Sequence, residues 1–152
     1  MTYLGKETTF QWLGHATFLV GTPSGRSVLI DPWFDNPAFP EPVGEPEQVD
    51  LILLTHGHWD HFNSVIPQAK KHECRVVCNV ELAHWLRKQG LPDEQVVEMN
   101  KGGTIEICGL QVTMTDARHS SGIIIDDEYR YGGEAAGFVV ETENEFRFYY
   151  AG

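Results

Sequence analysis

The first fifty residues carry hydrophobic positions in the short, alternating or clustered runs typical of β-strands. Thr8-Thr9-Phe10-Gln11-Trp12 and Ala16-Thr17-Phe18-Leu19-Val20 read as two strands around Leu13-Gly14-His15, and Ser27-Val28-Leu29-Ile30 as a third after the turn Pro23-Ser24-Gly25. Pro37, Pro40, Pro42 and Pro46 remove backbone donors between Asn36 and Glu47, so that stretch is an extended loop. A loop of that length in a compact domain is more often functional than idle. Val49-Asp50-Leu51-Ile52-Leu53-Leu54 is a short apolar run suited to a strand buried on both faces.

Beyond residue 60 helical periods interrupt the strands. Asn63 or Ser64 is placed to cap a helix running to about His72, and Glu81 to Gln89 reads as a second helix closed by Gly90 with Pro92 following. Arg75 to Asn79 and Val96 to Met99 read as strands, and His72 and His84 as ordinary helix residues. Gly103 to Ile107 and Leu110 to Thr115 flank Cys108-Gly109, a good hairpin turn. Strands near Gly137 to Glu141 and Phe146 to Tyr150 follow. Ile123-Ile124-Ile125-Asp126-Asp127, apolar then acidic, suits either a buried strand or part of a lid or oligomer contact. The pattern predicts an α/β (α+β) fold: a single layered domain over residues 1–152 with a mixed sheet and no internal repeat.

Composition narrows the class. A hydrophobic share of 41% and a charged share of 22% belong to a globular chain. No apolar run approaches the roughly 20 residues of a membrane helix, so no membrane partner is expected. Met1-Thr2-Tyr3-Leu4-Gly5-Lys6 has no basic segment leading into an apolar one, so no secretory signal and a cytoplasmic location are expected. The net charge of −11 argues against a nucleic-acid partner, whose phosphates need clustered Lys and Arg. Cys74, Cys78 and Cys108 show no zinc-type pairing. Reduced strand or core cysteines in a reducing cytosol are the preferred reading over a disulfide or a cysteine metal site.

The chemistry concentrates in Thr55-His56-Gly57-His58-Trp59-Asp60-His61, directly after the apolar run. Three imidazoles and a carboxylate at alternating and adjacent positions cannot all face one core, but they can converge on metal ions, for which neutral imidazole is the commonest ligand. The end of a buried strand is also where open α/β sheets bind ligands. In an extended or tightly turned segment His56 and His58 project the same way, while Asp60 and His61 cannot follow onto the same ion. Two ions are the simplest solution, roughly 3.5–4 Å apart in dinuclear sites of this kind.

His-x-His-x-Asp-His after a strand resembles the metallo-β-lactamase superfamily. Trp12-Leu13-Gly14-His15-Ala16, Leu29-Ile30-Asp31-Pro32-Trp33, Arg118-His119-Ser120-Ser121-Gly122 and Gly132-Gly133-Glu134-Ala135-Ala136-Gly137 extend the resemblance over nearly the whole chain. They narrow it to metal-dependent hydrolases related to the L-ascorbate-6-phosphate lactonases. The resemblance implies a metal-bound hydroxide attacking a small ester, lactone or phosphoester. It places His56, His58 and His119 on the first metal, and Asp60 and His61 on the second and in catalysis. Asp31 would sit below the cluster orienting a ligand imidazole, unless it is only the polar end of a strand. His15 would border the pocket, or act as a structural hydrogen-bonding histidine. Two divalent ions are implied, with zinc the expected metal and manganese or iron the alternatives.

The family fold is a four-layered αβ/βα sandwich, of which this chain resembles the N-terminal portion. After a strand like Phe146 to Tyr150 the family continues Ala-Gly-Asp-Thr, its aspartate bridging the metals, whereas this sequence stops at Ala151-Gly152. A complementary C-terminal chain or a homo-oligomer is therefore an expected partner, alongside a small-molecule substrate. Alone, the chain is expected to bind at most one ion tightly and to show little activity. The alternative is an inactive metal-binding fragment or the subunit of a split enzyme.

Overall fold

The computed structural model describes residues 2–3, 7–41 and 43–152. Its strands are β1 (Thr2–Tyr3), β2 (Thr9–Trp12), β3 (Phe18–Gly21), β4 (Ser27–Ile30), β5 (Leu51–Leu53), β6 (Arg75–Asn79), β7 (Val96–Met99), β8 (Thr104–Ile107), β9 (Leu110–Asp116), β10 (Gly122–Ile125), β11 (Glu128–Tyr131), β12 (Ala136–Glu141) and β13 (Arg147–Tyr150). Helices α1 (Trp59–Phe62) and α2 (Val65–His72) lie between β5 and β6, and α3 (Val80–Lys88) between β6 and β7.

Among the described residues, β1 to β7 form one sheet in sequence order, antiparallel as far as β4 and parallel from β4 to β7. A second, antiparallel sheet has the order β13-β12-β9-β8, and β10 pairs with β11 as a separate hairpin. The period of two sorts the central strands between two cores. Leu29, Ile52, Val76 and Cys78 face the helices with Val65, Ala69, Leu82 and Leu86. Val28, Ile30, Leu51, Leu53 and Val77 face the second sheet, meeting Leu110, Val112, Met114, Phe138 and Val140. Helices, sheet and sheet make three layers, the expected mixed α/β arrangement. No helix among the described residues is long and apolar enough to cross a membrane.

The strand over residues 49–54 is confirmed as β5, buried throughout and parallel to both neighbours. The described residues of 36–47 hold no strand or helix, as the prolines led one to expect, and Pro42 lies outside the described residues. Cys108 and Gly109 both take positive φ (53° and 77°), the two-residue turn expected between β8 and β9. Ser64 stands at the start of α2, but its hydroxyl accepts from Phe34 N at 3.0 Å instead of capping the helix. Residues 122–131 are not a free loop. They form the hairpin β10–β11 around Asp126-Asp127, with Ile123 buried and Ile124 exposed. Cys74 and Cys78 are free and buried on the helix side, and Cys108 is half-buried.

Candidate metal centre

The histidine motif begins where β5 ends. Leu54 N still donates to Val77 O at 3.0 Å, and Thr55 O accepts from Ala136 N at 3.0 Å, which ties the second sheet to the first at the site. The chain stays extended through His58 (φ −66°, ψ 143°) and then coils into the single turn of α1. The turn carries Asp60 and His61 away from His56 and His58 to a separate position. Gly57 is needed between the histidines, because a Cβ there would approach Leu82 Cδ2 to 3.0 Å and Gly122 O to 3.3 Å.

His119 arrives from the loop after β9. Ser121 holds that loop, its hydroxyl accepting from Gly57 N at 3.1 Å and donating to Gly132 O at 3.0 Å. His58 Nδ1 consequently lies 3.2 Å from both His56 Nε2 and His119 Nε2. One ring nitrogen carries either one hydrogen or one lone pair, so His58 Nδ1 cannot make two full hydrogen bonds at once. A cation facing all three nitrogens resolves that conflict, and the donor set suits divalent transition metals. Burial and the neighbouring imidazoles of His61, His58 and His119 hold His56 neutral, its pKa lowered to about 3. Burial, with His119 next, lowers His58 as well.

Beneath the cluster lies Asp31, fully buried and itself at positive φ (45°). Its Oδ1 accepts from Thr55 N at 2.8 Å, and its Oδ2 from Thr55 Oγ1 at 2.6 Å, His61 Nδ1 at 2.8 Å and Tyr150 OH at 3.3 Å. Because Thr55 spends its hydrogen on Asp31, its oxygen accepts from His56 Nδ1 at 2.9 Å. One carboxylate thus fixes the tautomer of two imidazoles, directly for His61 and through Thr55 for His56, leaving each Nε2 bare. With its acceptor positions so occupied, Asp31 is a poor ligand although it lies near His56 and His61. Burial, and then the charge of Asp31, push the Tyr150 phenol above its ordinary value, so it stays a donor.

Asp60 and His61 form a second group with His15, all three offering ligand atoms within 4.8 Å of one another. His15 Nε2 lies 3.0 Å from Asp60 Oδ2, and its ring stands edge-on to those of Trp33 and His61. Burial would raise Asp60, but its own backbone N–H and the imidazoles of His61, His15 and His58 hold its carboxyl below the usual value. Beside the first group opens a cleft of about 520 Å³ lined by His56, His61, Asp116, Arg118, His119 and Tyr149, among others. Thr55, Tyr150 and Arg118 were not singled out from sequence. Thr55 precedes the first histidine, which was a usable signal, whereas Tyr150 reaches Asp31 from 119 residues away.

A helix-backed mixed sheet facing an antiparallel sheet, with two His/Asp groups at their junction, is the arrangement of a metallo-hydrolase fold. The Beta-lactamase superfamily domain matches residues 26–152, and the chain belongs to the metallo-β-lactamase superfamily. It is similar to a UPF0173 metal-dependent hydrolase of Koribacter versatilis, 49% identical over 142 residues, which cover 93% of this chain and 60% of that protein. It is also similar to Igni18, a novel metallo hydrolase from Ignicoccus hospitalis, at 25% identity and a TM-score of 0.78, covering 95% of this chain and 60% of that one. CmlA, a diiron β-hydroxylase from Streptomyces venezuelae, shares the fold at 20% identity and a TM-score of 0.66, covering 97% of this chain and 30% of that one. The chain spans about 60% of the length of the curated relatives it matches.

Proposed function

We propose that this chain is the metal-binding part of a hydrolase acting on a small ester, lactone or phosphoester. The observation that carries the reading is the convergence of His56 Nε2, His58 Nδ1 and His119 Nε2 beside an open cleft. The kinship with proteins named metal-dependent hydrolases supports it. His56, His58 and His119 would hold one divalent ion, and Asp60 and His61 would contribute to another. Zinc is the first choice, with manganese or iron accepted by the same donors. Such ions polarise a carbonyl or phosphoryl oxygen and lower the pKa of a bound water. Thr55 and Asp31 keep His56 and His61 in the tautomers that present Nε2. Arg118, on the cleft wall, is placed to attract a carboxylate or phosphate carried by the substrate.

The direct test is hydrolysis of a panel of lactones, carboxylic esters and phosphoesters by metal-stripped protein, before and after adding Zn²⁺, Mn²⁺ or Fe²⁺. Metal-restored turnover that falls more than about 100-fold in His58→Ala supports the reading. Turnover indifferent to metal and to His58 contradicts it.

A second reading is favoured by β13. Among the described residues it pairs on one side only, with β12, and its Tyr149 lines the cleft. A complementary chain, or a second copy, adding to that edge would extend the cleft wall. Turnover appearing only on mixing with a second polypeptide, or only in a dimer fraction, would favour it.

A further inference from the structure

We propose that strand β11 is a self-association edge, adding antiparallel to β11 of a second copy of this chain with Tyr129 on the two-fold axis. The proposal is independent of the metal centre and concerns a different edge from β13. All four residues of β11 are exposed, and among the described residues the strand pairs with β10 alone. A row of unpaired N–H and C=O groups invites another strand, and native sheets shield such edges with proline, bulges or charges. Glu128-Tyr129-Arg130-Tyr131 has no proline, and its two charges are of opposite sign, so they do not repel a second copy in every register.

The hydrogen-bond phase limits how a second strand can add. β10 and β11 are joined by the two-residue turn Asp126-Asp127, with Ile125 opposite Glu128. Residues flanking a two-residue turn form a hydrogen-bonded pair, and such pairs alternate along an antiparallel ladder. Ile125 with Glu128 and Ile123 with Arg130 are therefore the bonded pairs. The bond from Gly132 N to Ser121 O at 2.9 Å continues the same phase. The main-chain groups of Glu128 and Arg130 are thus used on β10, whereas those of Tyr129 and Tyr131 point out of the edge. A second β11 can bond only by setting odd-numbered positions against odd-numbered ones.

Charge then selects one register among those. Centring the pair on Glu128 or Arg130 puts like charges directly opposite, which destabilises a ladder. Centring it on Asp127 sets Asp126 against Glu128, and centring it on Tyr131 runs off the end of the strand. Centring it on Tyr129 sets Glu128 of each copy opposite Arg130 of the other, with Tyr129 facing its own mate. Within one chain Glu128 and Arg130 already pair at 2.5 Å. In the joined sheet each charge has an opposite one beside it and another across from it. A chain of net charge −11 can self-associate only through such a charge-balanced surface.

The outer face of the hairpin supplies the burial. Ile124 lies opposite Tyr129, and Tyr131 projects to the same side; the three are 49%, 77% and 72% exposed. In the joined sheet Ile124, Tyr129 and their two mates form one row across four strands. Such a row buries far less than the roughly 1,600 Å² of a standard stable complex. The dimer is accordingly weak, with a dissociation constant on the order of 100 μM, and the charges set register more than affinity.

The test is sedimentation equilibrium of the 152-residue protein at physiological ionic strength, from about 10 μM to about 1 mM, where the wild type is expected to dimerise. Glu128→Arg and Arg130→Glu each put like charges opposite one another and should weaken association at least tenfold. Mixed one to one, these two variants become complementary and should associate about as tightly as the wild type. Tyr129→Pro removes an N–H that points away from β10, so the hairpin should tolerate it while the dimer loses its central bonds. Circular dichroism and hydrogen exchange in β10 check that each variant keeps its fold. If the proline variant loses the hairpin, the exposed charge swaps decide alone. A wild type that stays monomeric throughout, a dimer indifferent to the swaps, or swaps that weaken association without rescue on mixing overturns the proposal.

Discussion

Asp31 receives four hydrogen bonds in a position with no solvent exposure. In Asp31→Asn the amide nitrogen must face a donor, which leaves at least one donor unmet. Stability should fall by about 2 kcal/mol, within the range for an unsatisfied buried group. Metal affinity should fall 10–100-fold as the tautomers of His56 and His61 are released, measurable by calorimetric unfolding and metal titration. Asp50 shows the pH dependence of a carboxylate remote from the site. Burial would raise it, but hydrogen bonds from Ser27 N, Arg26 and Gln48 outweigh that and hold its pKa below 3.8. Folding therefore favours the ionised form, and its contribution is present above pH 3.8 and lost as pH falls through the depressed value. Asp50→Asn should lose about 1 kcal/mol at pH 7 and show a flatter acid limb in unfolding free energy against pH. Burial also pushes the Cys74 thiol up to about 12, so at pH 8 iodoacetamide should reach the half-buried Cys108 well before Cys74. At this scale the spacing in 55–61 made the ligand types legible. It did not reveal Tyr150 or the relay through Thr55, because both depend on where the second sheet lands.

Local pattern defined most elements to within a residue or two, and its failures have local causes. The four residues of α1 are too few to show a helical period, so no helix was read between residue 58 and the helix that ends near His72. The run Ile123-Ile124-Ile125 fits a strand buried on either face, and only packing against the helix-side core puts Ile123 inside. Asp126 and Asp127 adopt φ of 52° and 60°, the conformation of a type I′ turn usually filled by Asn-Gly. Replacing the pair by Asn-Gly should relieve about 1 kcal/mol of backbone strain. The expected readout is slower hydrogen exchange in β10 and β11, which among the described residues pair with each other alone. Unchanged exchange would show that the turn does not limit the hairpin.

At the scale of the molecule, the continuous apolar run over residues 49–54 was enough to imply a strand buried on both faces. Which elements supply the two covers is a long-range matter, decided by Phe138, Met114 and Val112 meeting Leu51 and Leu53. That meeting brings His119, on the far side of β9, to His58, and carries Tyr150 to Asp31. The site is thus a property of the sandwich and not of any one motif, which is why a short motif names its chemistry but not its full membership. The central claim is that His56, His58 and His119 converge because they share an ion. Crystals soaked in Zn²⁺ and measured on both sides of the zinc absorption edge test it most directly. An anomalous peak within about 2.0–2.1 Å of His56 Nε2, His58 Nδ1 and His119 Nε2 is the predicted result. Featureless density there at millimolar zinc, with the three imidazoles unmoved, would contradict it.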